Sequence, residues 1–275
     1  MPHPRGSAGE GEGLAPRADT ICEKKIDKGE MIFLMEDYNK ISKPYEAASG
    51  RDLRKFACEA MFIQNLGSLE GKMALDLACG EGCSSRVLKK LGAKKVIGID
   101  VSEEMLKLAE EKDKGGITYF RENIFECKFS KYGKFDVITS VLFFDYIPKK
   151  ELYLAVLKEI NLSLKEKGVF YMITPNPEAQ INYSAYGINN TADSNKDGAK
   201  VIAEITDFSG KKLCSLNNFY WKKETIEEFL KNAGFRVEWL PAFISKEGLK
   251  KYGKAFWAKY EEKPMYVMLK AAKTD

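Results

Sequence analysis

The sequence predicts an α/β fold: a largely parallel sheet with helices on both faces. Two observations carry this. Short apolar runs alternate with helical patterns from Met73 onward, the rhythm of a parallel sheet. The first run breaks into Gly80-Glu81-Gly82 before a helical pattern, which reads as strand, tight turn, helix.

The elements follow in order. Residues 1–29 are rich in Gly, Pro and charge and are expected to be a disordered tail. Residues 30–70 read as a helical cover, with Met31–Tyr45 and then Arg54–Leu66 carrying apolar residues at helical spacing. Strands are expected at 73–78, 95–100, 117–121, 135–140 and 168–174, and helices at 84–91, 103–112 and 150–164. After Thr174-Pro-Asn-Pro177 the rhythm stops. Residues 201–207 and 212–221 alternate around Ser209-Gly210, the pattern of a β-hairpin. Thr225–Ala233, ended by Gly234, is a helix with a glycine cap. Phe235–Leu240 and Met265–Ala271 read as the last strands. The division expected is therefore a tail over 1–29 and one domain over 30–275, with 175–221 a late, aromatic-rich insertion suited to a substrate lid.

The glycine turn indicates a nucleotide. Glycines let backbone N–H groups approach a ligand, and the following helix N-terminus adds partial positive charge. Asp76, near the strand end, is placed to meet a cation or a hydroxyl. A site with both signs suits a zwitterionic nucleoside better than a pyrophosphate. Asp100 ends the second strand 18 residues past Gly82, near the distance at which an acid of a βαβ unit takes ribose hydroxyls. The third glycine of a dinucleotide fingerprint is absent, its position being Ser85, which opposes a nicotinamide-dependent oxidoreductase.

Leu75-Asp-Leu-Ala-Cys-Gly-Glu-Gly82 followed by Val96-Ile-Gly-Ile-Asp100 resembles the first two motifs of class I S-adenosylmethionine-dependent methyltransferases. The resemblance runs from about Met31 to the end, with Ala78 in the first glycine slot. It implies a Rossmann-like, seven-stranded, mostly parallel sheet whose last strand is antiparallel, with S-adenosylmethionine as cofactor. It assigns Asp76, Ala78, Gly80 and Gly82 to the methionine and ribose portion, Asp100 to the ribose, and Val101 and Met105 to the adenine. Asn123 and Ile124 follow the third strand and resemble the polar–apolar pair that meets the adenine amine, though Asn123 suits a plain turn equally well. Ser140 ends the fourth strand beneath the methionine part, and Tyr38 is assigned to the cofactor side.

The acceptor side rests on Phe143-Phe-Asp-Tyr146. Asp145 reads as a group accepting a proton or hydrogen bond from an acceptor hydroxyl or N–H, with Tyr146 beside it; a helix-capping role for Asp145 fits as well. Tyr45, Tyr183, Tyr186 and Tyr220 come from covering segments and are candidates to stack on a flat acceptor. Asn218-Phe-Tyr-Trp-x3-Thr225, Ala233-Gly-Phe235 and Ser245-Lys-Glu-Gly-Leu249 with Tyr252 and Trp257 add a narrower likeness. They resemble small-molecule methyltransferases of the toxoflavin-biosynthesis type, which methylate ring nitrogens of a planar heterocycle.

Composition excludes much else. The 275 residues include one histidine, His3 in the tail, so a histidine base, a Ser-His-Asp triad and a histidine metal site are not expected, and no metal is. Forty-four basic residues against 40 acidic ones, net +4, give no strong field for nucleic acid or membrane. Cys79 and Cys83 lack the third cysteine of a radical iron–sulfur set, that position being Arg86. No apolar run would span a bilayer and the start lacks a signal-peptide core, so a cytoplasmic monomer or homodimer is expected. The leading reading is methyl transfer to a nitrogen or oxygen of a small, planar molecule by in-line displacement. Against it stand a protein or nucleic-acid acceptor and a non-catalytic cofactor-binding protein.

Overall fold

The computed structural model describes residues 53–179, 183–207 and 209–274. The expected tail, the helical pattern read over Met31–Tyr45, Tyr38 and Tyr45 lie outside these residues. A π-helical turn, Arg54–Glu59, runs into α1 (Ala60–Leu66). Then come β1 (Met73–Leu77), α2 (Cys83–Lys90), β2 (Lys95–Asp100), α3 (Glu103–Lys112), β3 (Ile117–Arg121), β4 (Phe135–Val141), α4 (Lys150–Ser163) and β5 (Leu164–Pro175). β6 (Ile188–Ala192), β7 (Ala199–Thr206) and β8 (Lys212–Tyr220) are followed by α5 (Lys223–Asn232), β9 (Phe235–Leu240), α6 (Lys246–Glu262) and β10 (Tyr266–Lys273).

The main sheet has seven strands in the order β3-β2-β1-β4-β5-β10-β9. All neighbours are parallel except β10, which runs antiparallel to both β5 and β9. This is the Rossmann-like sheet with an antiparallel last strand. The chain leaves β1 toward β2 on one side and later returns to β4 on the other. The crevice at the carboxyl ends of β1 and β4 is therefore the switch point where such folds bind ligands. Strand alternation divides the core. Leu75 and Leu77 of β1 face the cluster built with α4 and α5, around Leu157, Ile160, Phe229 and Leu230. Ala74 faces the other cluster, with Phe56, Met61, Val87 and Trp257.

Two elements differ from expectation. The insertion is a three-stranded sheet, β6-β7-β8, and not a bare hairpin. β6 reads Ile-Asn-Asn-Thr-Ala and has little apolar alternation; its pairing to β7 defines it. Helix α6 was not expected, because Gly248 and Gly253 interrupt it, and Gly253 sits outside helical geometry at φ +78°. Ser245 caps its start by accepting from Gly248 N–H at 3.1 Å. Gly248 itself is where the helix meets the π-turn: a Cβ there would stand 2.7 Å from Cβ of Phe56. β5 also starts earlier than expected, directly after α4. Among the described residues no helix is long and apolar enough to cross a membrane.

Candidate active site

The glycine loop joins β1 to α2 through alternate residues in left-handed geometry: Ala78 at φ +51°, Gly80 at +54° and Gly82 at +78°. The two glycines serve different ends. A Cβ on Gly80 would meet nothing within 4 Å, so this residue faces open space at the crevice. A Cβ on Gly82 would stand 2.5 Å from the Tyr119 hydroxyl and 3.1 Å from Cβ of Ala109. Gly82 therefore lets the loop pack closely on β3 and α3. Ala78 adopts the conformation a glycine would take freely, at a cost of about 1 kcal/mol.

Asp76 is corrected. Alternation along β1 points it at α2, on the face opposite to Leu75 and Leu77. It is 1% exposed, and both carboxylate oxygens are occupied, accepting from Ser85 Oγ at 2.6 Å and Thr139 Oγ1 at 2.9 Å. Burial pushes its pKa up to about 6 against the two hydroxyls that favour the charged form. Asp76 ties β1, β4 and α2 together; it does not open onto the crevice. Ser85 and Thr139, whose roles the sequence did not reveal, are its partners.

Asp100 stands at the end of β2 and accepts from Gly80 N–H at 2.8 Å and Ser102 N–H at 2.9 Å. Burial raises its pKa, and those backbone donors oppose the rise. It is thus beside the open glycine of the loop. Val101 is half-buried next to it, while Met105 and Ile124 are buried core residues. Asn123 Oδ1 accepts from Phe125 N–H at 3.1 Å, an Asx turn. Ser140 is fully buried at the end of β4, and its hydroxyl has no hydrogen-bond partner.

Beyond β4 a cavity of about 680 Å³ opens between the carboxyl ends of β4 and β5 and the small sheet. Leu142, immediately after β4, is bent to φ +53° and lines it. So do Asp145 and Tyr146, on a short 3₁₀ turn. Asp145 is 6% exposed, and burial pushes its pKa up to about 7, against opposing hydrogen bonds from its own backbone N–H and from Asn218. Asn218 of β8 donates from Nδ2 to Asp145 Oδ2. The sequence marked Asn218 only as part of a resemblance; a polar residue inside an aromatic run was its one signal. Arg54, at the start of the π-turn, also lines the cavity and was not singled out.

The aromatic candidates separate. Tyr220 lines the cavity, with its hydroxyl donating to the Pro177 carbonyl at 3.1 Å. Tyr186 lines it as a wall: its ring stacks on Trp257 at 5.8 Å, and its hydroxyl donates to the Phe256 carbonyl at 2.8 Å. Tyr183 is 3% exposed, donates to the Lys263 carbonyl at 2.9 Å and is not among the lining residues. Tyr183 is therefore corrected from an acceptor contact to an anchor of the insertion on α6.

The sheet order, the glycine loop at the switch point and the acid closing β2 define the class I methyltransferase architecture. A methyltransferase-domain family matches residues 74–168. A demethylmenaquinone methyltransferase of Lactococcus lactis is 30% identical over 225 residues, spanning 74% of this chain and 81% of that protein. A ubiquinone biosynthesis O-methyltransferase of Methylococcus capsulatus is 38% identical over 90 residues, 32% of this chain and 38% of that protein. In three dimensions an S-adenosylmethionine-dependent methyltransferase from Mesorhizobium loti shares the fold, with a TM-score of 0.56 at 18% identity, over 82% of this chain and 100% of that one. The chain belongs to the S-adenosylmethionine-dependent methyltransferases and is an enzyme of that class. The residues present fit the cofactor: Gly80 leaves space a Cβ would fill, Asp100 keeps a carboxylate beside it, and Ser140 holds an unpaired hydroxyl at the end of β4.

Proposed function

We propose that the chain methylates a nitrogen or oxygen of a small, flat molecule held in the cavity between the β4 and β5 ends and the β6–β8 sheet. The observation that carries this reading is the buried Asp145 on the wall of that cavity. S-adenosylmethionine supplies an electrophilic methyl group on a sulfonium. What the chain must add is position, dryness and a place for the proton. Gly80 and Asp100 hold the cofactor at the loop, with Val101 and Ile124 toward the adenine. Asp145 takes the proton the acceptor atom loses; a carboxyl near pH 7 is poised for that task. Phe144, Tyr146, Tyr186, Phe219 and Tyr220 line the same space, and flat aromatic walls favour a flat occupant. The β6–β8 sheet acts as the lid, and the Asn218 and Trp221 contacts to the turn after β4 seat it.

Both relatives named above carry names that concern quinones, which supports a planar acceptor; the toxoflavin-type resemblance points the same way. The test is incubation of the full chain with radiolabelled S-adenosylmethionine and, separately, a small-metabolite extract, total protein and total RNA. Label is expected in the small-metabolite fraction. Label confined to protein or RNA refutes the small-molecule reading.

A further inference from the structure

We infer that the methyl acceptor presents an edge with two neighbouring hydrogen-bond donors, read jointly by Asp145 and Asn218, so that Asn218 is a specificity-determining residue. The inference rests on the acceptor reading proposed above. Among the described residues six buried side-chain polar atoms lack a hydrogen-bond partner: Tyr119 Oη, Ser140 Oγ, Asp145 Oδ1, Asn189 Oδ1, Asn218 Oδ1 and Tyr260 Oη. Of their residues, only Asp145 and Asn218 line the cavity. These two are also joined to each other, since Asn218 Nδ2 donates to Asp145 Oδ2. That bond engages one N–H of the amide and one carboxylate oxygen. It leaves an oxygen on each side chain with nothing to accept from.

Buried polar atoms in folded proteins are nearly always paired, so two unpaired ones on neighbouring residues that line one cavity point to its occupant. With Asp145 ionised, both atoms are pure acceptors. The complementary occupant offers two donors on one edge: a hydroxyl beside a second hydroxyl, or a hydroxyl beside an amine. A molecule with one donor leaves one oxygen unpaired. A lactam, with N–H next to C=O, sets its carbonyl against an acceptor, which is repulsive. The two readers come from separate units, Asp145 from the turn after β4 and Asn218 from β8 of the small sheet. The edge is therefore read in full only with the small sheet seated.

Three bicyclic probes of equal size test this: naphthalene-2,3-diol with two donors, 2-naphthol with one, and 2-quinolone with a donor beside an acceptor. Each is titrated calorimetrically into the full chain saturated with S-adenosylhomocysteine, at about pH 8.5, where Asp145 is ionised. The diol is expected to bind at least about tenfold more tightly than either competitor, the effect of one further charge-assisted or amide hydrogen bond. Asn218→Leu is expected to abolish that preference while S-adenosylhomocysteine binding is retained. Asn218→Ser, a smaller change, gives the same reading should the leucine variant not fold. Equal affinities, a preference for 2-quinolone, no binding of any probe to the cofactor-loaded chain, or a diol preference that survives both substitutions each overturns the inference. Absence of S-adenosylhomocysteine binding to the unaltered chain overturns the methyl-transfer reading itself, and this inference with it.

Discussion

Replacing Asp145 with Asn is expected to make the protein more stable and less active, and the size of the gain should depend on pH. The unfolded chain releases this proton near the ordinary carboxyl value of 3.8, whereas the buried side chain in the folded chain releases it near 7. Below 3.8 both states are protonated and burial costs nothing. Between the two values the unfolded state binds fewer protons than the folded one, so stability falls as pH rises, and the loss is complete above 7. Each pH unit inside that window is worth about 1.4 kcal/mol. From pH 5 to pH 7 the unaltered chain should therefore lose about 2 kcal/mol that Asp145→Asn, uncharged throughout, does not lose.

Urea unfolding of both proteins at half-unit steps from pH 5 to pH 8 measures this directly. The difference in unfolding free energy should widen across the window and level off above 7. Parallel curves would refute the claim that a buried, ionising Asp145 sets this slope. Activity gives the second arm. If Asp145 accepts the proton, Asp145→Asn should lower kcat by about 10²–10⁴-fold, and the unaltered enzyme's rate should rise with pH through about 7. A variant that is stabilised but fully active would leave the burial argument intact and remove Asp145 from the chemistry.

Four more substitutions probe the loop and its supports. Ala78→Gly relieves left-handed strain of about 1 kcal/mol but frees the unfolded chain, for a net gain of about 0.5 kcal/mol in urea unfolding; a loss of stability would contradict the strain. Gly80→Ala and Gly82→Ala should separate by assay. The first places a Cβ in the open crevice and should weaken S-adenosylhomocysteine binding by about tenfold or more in calorimetry. The second drives a Cβ into the Tyr119 hydroxyl and should cost about 2–4 kcal/mol of stability, part of which Tyr119→Phe restores. Ser85→Ala removes one of two hydroxyl donors to the buried Asp76 and should cost about 1–3 kcal/mol at pH 8. The cost should shrink as pH falls through about 6, where Asp76 is protonated in the folded chain. A pH-independent cost would show that the lost contact is packing and not charge.

What the sequence makes legible is local. The five parallel strands follow from apolar runs, and Asp100 from its distance to the glycine turn. Asp76 looked like a ligand because it sits near a strand end, yet period-two alternation turns it toward Ser85 on α2. The same alternation places Leu75 and Leu77 in the opposite cluster. β6 and α6 escape because their own residues favour neither state: Asn189 and Asn190 are poor strand formers, and two glycines interrupt the helix. Tertiary partners decide both, β7 for one and Phe56 for the other. Asn218 was beyond reach for another reason. Its partner Asp145 lies 73 residues away, and only the seating of β8 across the turn after β4 brings them together.

The loop also shows why three acids stand around one glycine motif. Left-handed geometry at Ala78, Gly80 and Gly82 is held, not merely tolerated. Asp76 secures the start of α2 through Ser85. Glu81 is buried, and although burial works against its charge, Lys112 at 2.8 Å and Arg86 at 3.1 Å hold its carboxyl below the usual range and tie the loop to α3 and to the next turn of α2. Asp100 takes the Gly80 N–H from the other side. The backbone N–H groups of Gly80, Val101 and Ser102 all favour its charged form against burial. The loop is thus braced from both sides before any ligand arrives, and a cradle already formed spends little binding energy on being ordered.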